Sequence, residues 1–212
     1  MRVSGKINSV VIILSVVAAL IAGLAIHTIS LYDSRMMELE RASLETLKGE
    51  HLNRLVTAVV MESRGVYAAP TTEKAKPFAK GILTNLEKID QLFVEWAPLV
   101  SAGNKSAFDA VVSRAAEFKA FRVETARLGS EVSPKAADEQ GNNDANRNNR
   151  RQFQAEIDRL TAASQADLLA IRDEVSNLAQ TRMQMMIAIA LGGILVGGFA
   201  AFWIGQRMIA RP

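Results

Sequence analysis

Apolar and polar positions divide this chain into three stretches. Residues 10–26 and 183–204 are apolar with few interruptions and contain no Asp, Glu, Lys or Arg. Between them apolar residues recur every three or four positions among polar ones. An α-helix needs roughly 20 apolar residues to cross about 30 Å of hydrocarbon. The two end runs therefore predict membrane spans, and the middle predicts amphipathic helices.

Four helical segments are predicted in the middle. The first continues out of the membrane through Leu44, Leu47, Leu52, Leu55, Val56, Val59 and Val60, and ends near Gly65 at the Tyr67-Ala68-Ala69-Pro70 break. The second begins after Thr71 or Thr72 and presents Phe78, Ile82, Leu86, Ile89, Phe93 and Trp96 on one face; Pro77 marks its start or bends its first turns. The third opens at Ser106, with Asp109 three residues on as a capping pair, and carries Phe108, Val111, Ala115, Phe118, Phe121 and Leu128 to a stop at Gly129. Ser133-Pro134 predicts a short extra turn, and the Asn-rich stretch after Gly141 predicts a loop whose side chains cap the next helix. The fourth segment has the cleanest spacing, Phe153, Ile157, Leu160, Ser164, Leu168, Ile171, Val175 and Leu178, and runs directly into the second apolar stretch.

Lengths turn these segments into an architecture. The outer two run about 38 to 40 residues, roughly 58 Å, and are fused to the spans, whereas the inner two run about 25 to 30 residues. The predicted fold class is all-α: a membrane-anchored antiparallel four-helix bundle flanked by two transmembrane helices. The predicted layout is 1–9 cytoplasmic, 10–29 first span, 30–182 exterior bundle, 183–205 second span and 206–212 the start of a linker.

Charge orients the arrangement. Arg2 and Lys6 precede the first span, and Arg207 and Arg211 follow the second, while Arg35 and Arg182 on the inner flanks are diluted by Asp33, Glu38 and Asp173. Both ends are therefore expected in the cytoplasm and the middle outside. A cleaved signal peptide ending near Ala22, Gly23 and Ala25 is the alternative, but Ile26, Ile29 and Leu31 carry the apolar pattern onward without a polar break.

Composition excludes more than it assigns. The chain has no cysteine, which removes disulfides, thiolate ligands and a Cys nucleophile. A formal net charge of +3, with acids and bases interspersed except around Arg147, Arg150 and Arg151, does not suggest nucleic-acid binding. Only His27 and His51 are present, neither in the Glu-x-x-His pattern of a di-metal bundle, and no phosphate-cradling glycine loop occurs. No catalytic residue, metal ligand or cofactor is expected, and the methionines read as packing and membrane residues.

A second copy of the chain is the expected partner. Leu52, Leu55, Val56, Val59 and Val60 cover more than a third of the first helix, more than one bundle interior requires. Small residues at Ala18, Ala19, Ala22 and Gly23 in the first span, and at Gly193, Gly197, Ala201 and Gly205 in the second, permit close helix approach. The ordinary small-residue content of membrane helices accounts for them as well. Phe199, Phe202 and Trp203 mark an interfacial belt, with Trp203 the expected anchor.

Taken together, the basic N-terminus, an uncleaved first span, an exterior four-helix bundle, a second span and the terminal Ile209-Ala210-Arg211-Pro212 resemble the sensory half of a bacterial methyl-accepting chemotaxis protein. Residues 60–67 (Val-Met-Glu-Ser-Arg-Gly-Val-Tyr), 74–78 (Lys-Ala-Lys-Pro-Phe) and 143–147 (Asn-Asp-Ala-Asn-Arg) resemble segments of the bundle domains of such receptors. Arg211-Pro212 resembles the entry to a HAMP linker. The resemblance implies a multi-pass protein of the bacterial inner membrane with a periplasmic sensor domain, binding a small molecule or a periplasmic binding protein and passing a conformational signal through the second span. The family's output module lies beyond such a linker, so contact with a cytoplasmic kinase is not expected from this chain alone. The same bundle occurs on sensor histidine kinases and cyclases, and a non-signalling membrane-anchored scaffold is a further alternative.

In receptors of this type that sense amino acids, the resemblance implies arginines gripping the ligand carboxylate near the membrane-distal end of the bundle. Arg54 matches one of them, with His51 one turn before it. Val59 and Glu62 stand where further basic residues are expected, so an amino-acid ligand does not carry over. Arg147, Arg151, Gln154 and Asp158 form a polar stripe beside the core face of the fourth helix at the same height. The ligand-binding candidates are therefore His51, Arg54, Arg147, Arg151 and Gln154, against the alternative of a solvated charged face.

Overall fold

The computed structural model describes the backbone of residues 3–209, and their side chains except at 3–7, 9, 10, 13, 204, 205 and 207–209. Arg2 and the Arg211-Pro212 pair lie outside the described residues. Apart from short connections the described chain is helical, in the order α1 (Val3–Ala68), α2 (Thr72–Trp96), α3 (Lys105–Arg127), a single π-helical turn (Leu128–Val132), α4 (Pro134–Gly141) and α5 (Asp144–Ile209). It forms two compact units, one from the chain ends up to Glu38 and from Ile171 onward, the other Leu39–Ala170.

In the 39–170 unit, helix starts follow side-chain chemistry. The Thr71 hydroxyl accepts from the Lys74 N–H at 3.3 Å and fixes the start of α2, so Pro77 sits inside the helix. Proline there leaves the Glu73 carbonyl without its helical donor, which the first turns tolerate. The buried stripe of α2 is Ala75, Ala79, Ile82, Leu86, Ile89, Leu92 and Trp96. Phe78, expected in that stripe, is 40% exposed. Its ring lies against Gly65 of α1, where an added Cβ would collide with it. Instead of ending at Gly65, α1 continues through it to Ala68.

Around α3 the capping chemistry differs from expectation. The helix begins one residue before Ser106, and Asp109 pairs with Lys105 rather than capping. Gly129 does not stop it either: the chain widens into the π-helical turn, with Gly129 buried against Val66 and no positive φ. Ser133 then caps α4 by accepting from the Ala136 N–H at 3.0 Å, with Pro134 in the first turn, so the expected short turn is an eight-residue helix. The expected Asn-rich loop shrinks to Asn142 and Asn143, and the Asn143 side chain accepts from the Asn146 N–H at 3.0 Å to start α5.

The core of this unit joins Leu52, Val56 and Val59 of α1 to the stripes of α2, α3 and α5, with Phe153, Ile157 and Leu160 fully enclosed. Aromatic edges organise its two ends: Trp96 meets Phe108 with ring centroids 5.5 Å apart, and Phe118 meets Phe153 at 5.2 Å. The broad apolar face of α1 is therefore not spare surface. Leu52, Leu55, Val56 and Val59 are 0 to 7% exposed within a single chain, whereas Leu44, Leu47 and Met61 remain 38, 58 and 57% exposed.

A buried polar layer crosses the same unit. The Asn104 amide donates to Glu45 Oε1 at 3.1 Å and to Asp167 Oδ2 at 3.0 Å, and the Ser164 hydroxyl donates to Glu45 Oε1 at 2.9 Å. Glu45, Asn104 and Ser164 are all buried. This engagement explains why Asn104 stands before α3 without capping it. Replacing Asn104 with Leu leaves the Glu45 carboxylate short of donors, and a loss of about 1 to 3 kcal/mol is expected. A lowered midpoint in chemical denaturation of the full chain, followed by helical circular dichroism, checks this. An unchanged midpoint would mean that water replaces the amide at no cost.

The other unit contains the apolar runs. By length and composition both helices can cross a membrane, with mean hydropathies of 2.1 and 2.2 in windows that are 0% and 6% buried. Gly193 is buried, and an added Cβ there would meet Val17 at 2.7 Å; at Gly197 it would meet Leu14 at 3.2 Å. These two glycines thus admit close approach. Ala19, Gly23 and Ala201 are exposed, and nothing lies within 4 Å of a Cβ placed at Gly23. Trp203 is 50% exposed. Below the runs, Arg35 pairs with Glu38 at 2.7 Å and with Glu174 at 2.9 Å.

Candidate ligand-binding site

The last three turns of α1 place Val56, Val60, Arg64 and Tyr67 on one side of the helix, three or four residues apart. Two clefts open along that side. One, of about 220 Å³, lies among Ser63 and Tyr67 of α1, Arg122 of α3 and the α4–α5 corner with Asn142, Asn146 and Arg147. The other, of about 310 Å³, lies between Val56, Thr57 and Met61 of α1 and Arg151 and Gln154 of α5. Val60, Arg64 and Arg150 wall both.

Five guanidinium groups thus line adjoining space that no carboxylate lines. Arg122 is the deepest, 4% exposed. Its Nη1 donates to the Tyr67 hydroxyl at 3.2 Å, and its Cζ lies 5.2 Å from the centre of the Phe118 ring. Its Nε has no partner. Burial lowers its pKa from the ordinary arginine value, the Tyr67 oxygen opposes that, and the nearby Arg150 charge adds to it. A guanidinium keeps its proton even so, and Arg122 remains a buried cation that, among the described residues, no carboxylate neutralises.

The surrounding groups hold this arrangement. Asn146, 2% exposed, donates to the Gly141 carbonyl, and its own Oδ1 is unpartnered. Gly141 is required by proximity, because a Cβ there would meet the Tyr67 hydroxyl and Thr125 Oγ1. Arg147 is engaged by Asp144 at 2.9 Å and by the Asn142 carbonyl at 3.2 Å. Among the described residues, Arg64, Arg150 and Arg151 form no ion pair; Arg64 reaches only Met61 Sδ, at 3.9 Å.

Of the residues singled out from the sequence, Arg147 lines the first cleft and Arg151 and Gln154 the second. Gln154 is held by Asn53 Oδ1 at 2.5 Å and by Asp158 at 3.2 Å. His51 and Arg54 are exposed and line neither cleft. His51 stands instead near Glu95, whose carboxyl is held below its usual range chiefly by its hydrogen bond to Lys48. Sequence reasoning missed Arg64, Arg122, Arg150 and Tyr67. For Arg122 a signal existed: it continues the spacing Val111, Ala115, Phe118 and is a charge on a core stripe. Among the described residues no cluster of three or more His, Asp or Glu side chains is placed to hold a metal ion.

Comparison with known proteins found no family model, no curated relative and no solved structure that matches the chain. The chemistry of the clefts, with the apolar runs that continue α1 and α5, carries the functional reading.

Proposed function

We propose that the chain is the sensory region of a transmembrane chemoreceptor of the methyl-accepting type, anchored by two spans in a bacterial inner membrane with residues 39–170 as a periplasmic antiparallel four-helix bundle. The observation that carries this is the arginine-walled space between α1 and α5, the two helices that continue unbroken into the apolar runs. Antiparallel packing is supported by paired positions that run in opposite directions: Glu45 with Ser164 and Asn53 with Asp158 between α1 and α5, and Lys48 with Glu95 and Gly65 with Phe78 between α1 and α2. Exposed apolar side chains around the end runs, such as Ile26, Leu195 and Phe199, suit lipid better than water.

A ligand seated between α1 and α5 would favour one of two spacings of that pair, and α5 would pass the bias to the second span. A second copy of the chain is proposed as partner, packed along the exposed Leu44, Leu47 and Met61 of α1. Joining residues 1–212 to the signalling half of a characterised chemoreceptor tests the reading. Kinase output is expected to change when a ligand that binds the purified chain is added outside the cell. Output that stays constant at saturating ligand would remove signalling from the account.

A further inference from the structure

Resting on that sensory reading for its biological use, we propose that the joined clefts bind an organic polyanion carrying two or more carboxylates, of the di- or tricarboxylic acid class. Five cations line space that no carboxylate lines, and among the described residues only Arg147 of the five has an acidic partner. A single carboxylate accepts one guanidinium fork well, so one monoanion would leave most of these groups unanswered. Arg64 and Arg150 wall both clefts, and one anionic group held between them leaves room for others toward Arg122 on one side and Arg151 on the other. The buried Arg122 Nε, without a partner, is a donor already desolvated and held in place by Tyr67 and Phe118. The second cleft adds an apolar wall of Val56, Val60 and Met61, which a carbon skeleton covers and inorganic phosphate does not.

Binding is tested on the full chain in detergent micelles, by calorimetry and thermal melting at constant ionic strength, with citrate, succinate, acetate and inorganic phosphate as probes. Citrate or succinate is expected to bind and to raise the melting midpoint, with acetate and phosphate weaker by about tenfold or more. Arg64→Gln and Arg150→Gln act at the wall the two clefts share and leave Arg122 in place, and each is expected to weaken binding by about tenfold or more. Arg159→Gln, on the same helix but outside both clefts, removes an equal charge and is expected to leave affinity unchanged. No binding of either polycarboxylate at about 10 mM, or equal losses in the Arg159 and Arg150 variants, overturns the site. Phosphate binding as tightly as citrate overturns the organic skeleton, and acetate doing so overturns the requirement for several charges. Binding with a silent hybrid receptor removes the sensory reading and leaves the site standing; a responding hybrid whose response survives Arg150→Gln removes the site and leaves the sensory reading.

Discussion

Replacing Leu160 with Asp is expected to abolish cooperative melting of the 39–170 unit or to lower its stability by several kcal/mol. Leu160 is 0% exposed, between Ile157 and Ser164 on the inner stripe of α5. The substitution removes the burial of a leucine side chain, about 1.5 to 3 kcal/mol, and introduces a charge into the apolar core. Domains of this size hold only about 5 to 15 kcal/mol in total, so the loss takes a large share of the margin. Gln154→Asp, two turns earlier, is the comparison. That residue is half-buried and bonded to Asn53 and Asp158, so the change forfeits a hydrogen bond and adds a like charge near Asp158, for about 1 kcal/mol. Thermal melts of both full-length variants by circular dichroism check the ranking. Equal effects would mean that the inner face of α5 is wrongly assigned.

That face was legible in the sequence for a physical reason. Phe153, Ile157, Leu160 and Ser164 are all buried because α5 has no proline or turn to break its register there, so spacing alone fixes which side turns inward. On α2 the same reasoning chose Phe78, whereas Ala75 and Ala79 are buried. The decision there lies with a neighbour: Gly65 of α1 has no Cβ and so leaves room for the Phe78 ring, and periodicity within α2 carries no information about α1. The end of α3 failed similarly. Glycine read as a stop because it tolerates positive φ, but Gly129 is needed for close approach to Val66.

The site divides along the same line. Arg147, Arg151 and Gln154 were reachable because they lie on one helix, and helical spacing puts them beside a recognisable core stripe. Arg150 lies on that helix too, three residues from Arg147 and four from Gln154, and was within reach of the same spacing, whereas Arg64 and Arg122 join them only through the packing of α1, α3 and α5. Among them Arg122 illustrates what a sequence reading can recover. An arginine on a buried stripe conflicts with the apolar pattern, and such local conflicts concentrate where stability is given up for function. His51 and Arg54 were drawn in by resemblance to receptors whose arginines sit on the first helix. Their exposure places them on a different face of α1, and that face bears on assembly.

Cysteine substitutions along α1 from 44 to 61 are expected to give disulfide-linked dimers with maxima at Leu44, Leu47, His51, Arg54, Ala58 and Met61, and minima at Leu52, Val56 and Val59. The first set recurs at intervals of three and four, which is the coiled-coil repeat. Its large apolar members are the ones left uncovered, Leu47 at 58% and Met61 at 57% exposure, while the second set is already enclosed by its own chain. Across a two-fold axis each residue of the seam lies near its own counterpart, so self-cross-linking reports the axis directly. Because the chain has no native cysteine, every disulfide formed belongs to the introduced residue. On this arrangement Arg54 and His51 are interface residues, and the arginine clefts border the seam at Met61, which lines one of them, and extend over the flank carrying Val60 and Arg64. Absence of cross-links at every position would remove the homodimer; maxima at Val56, Val60 and Arg64 would close the clefts against the partner and remove the single-chain site instead.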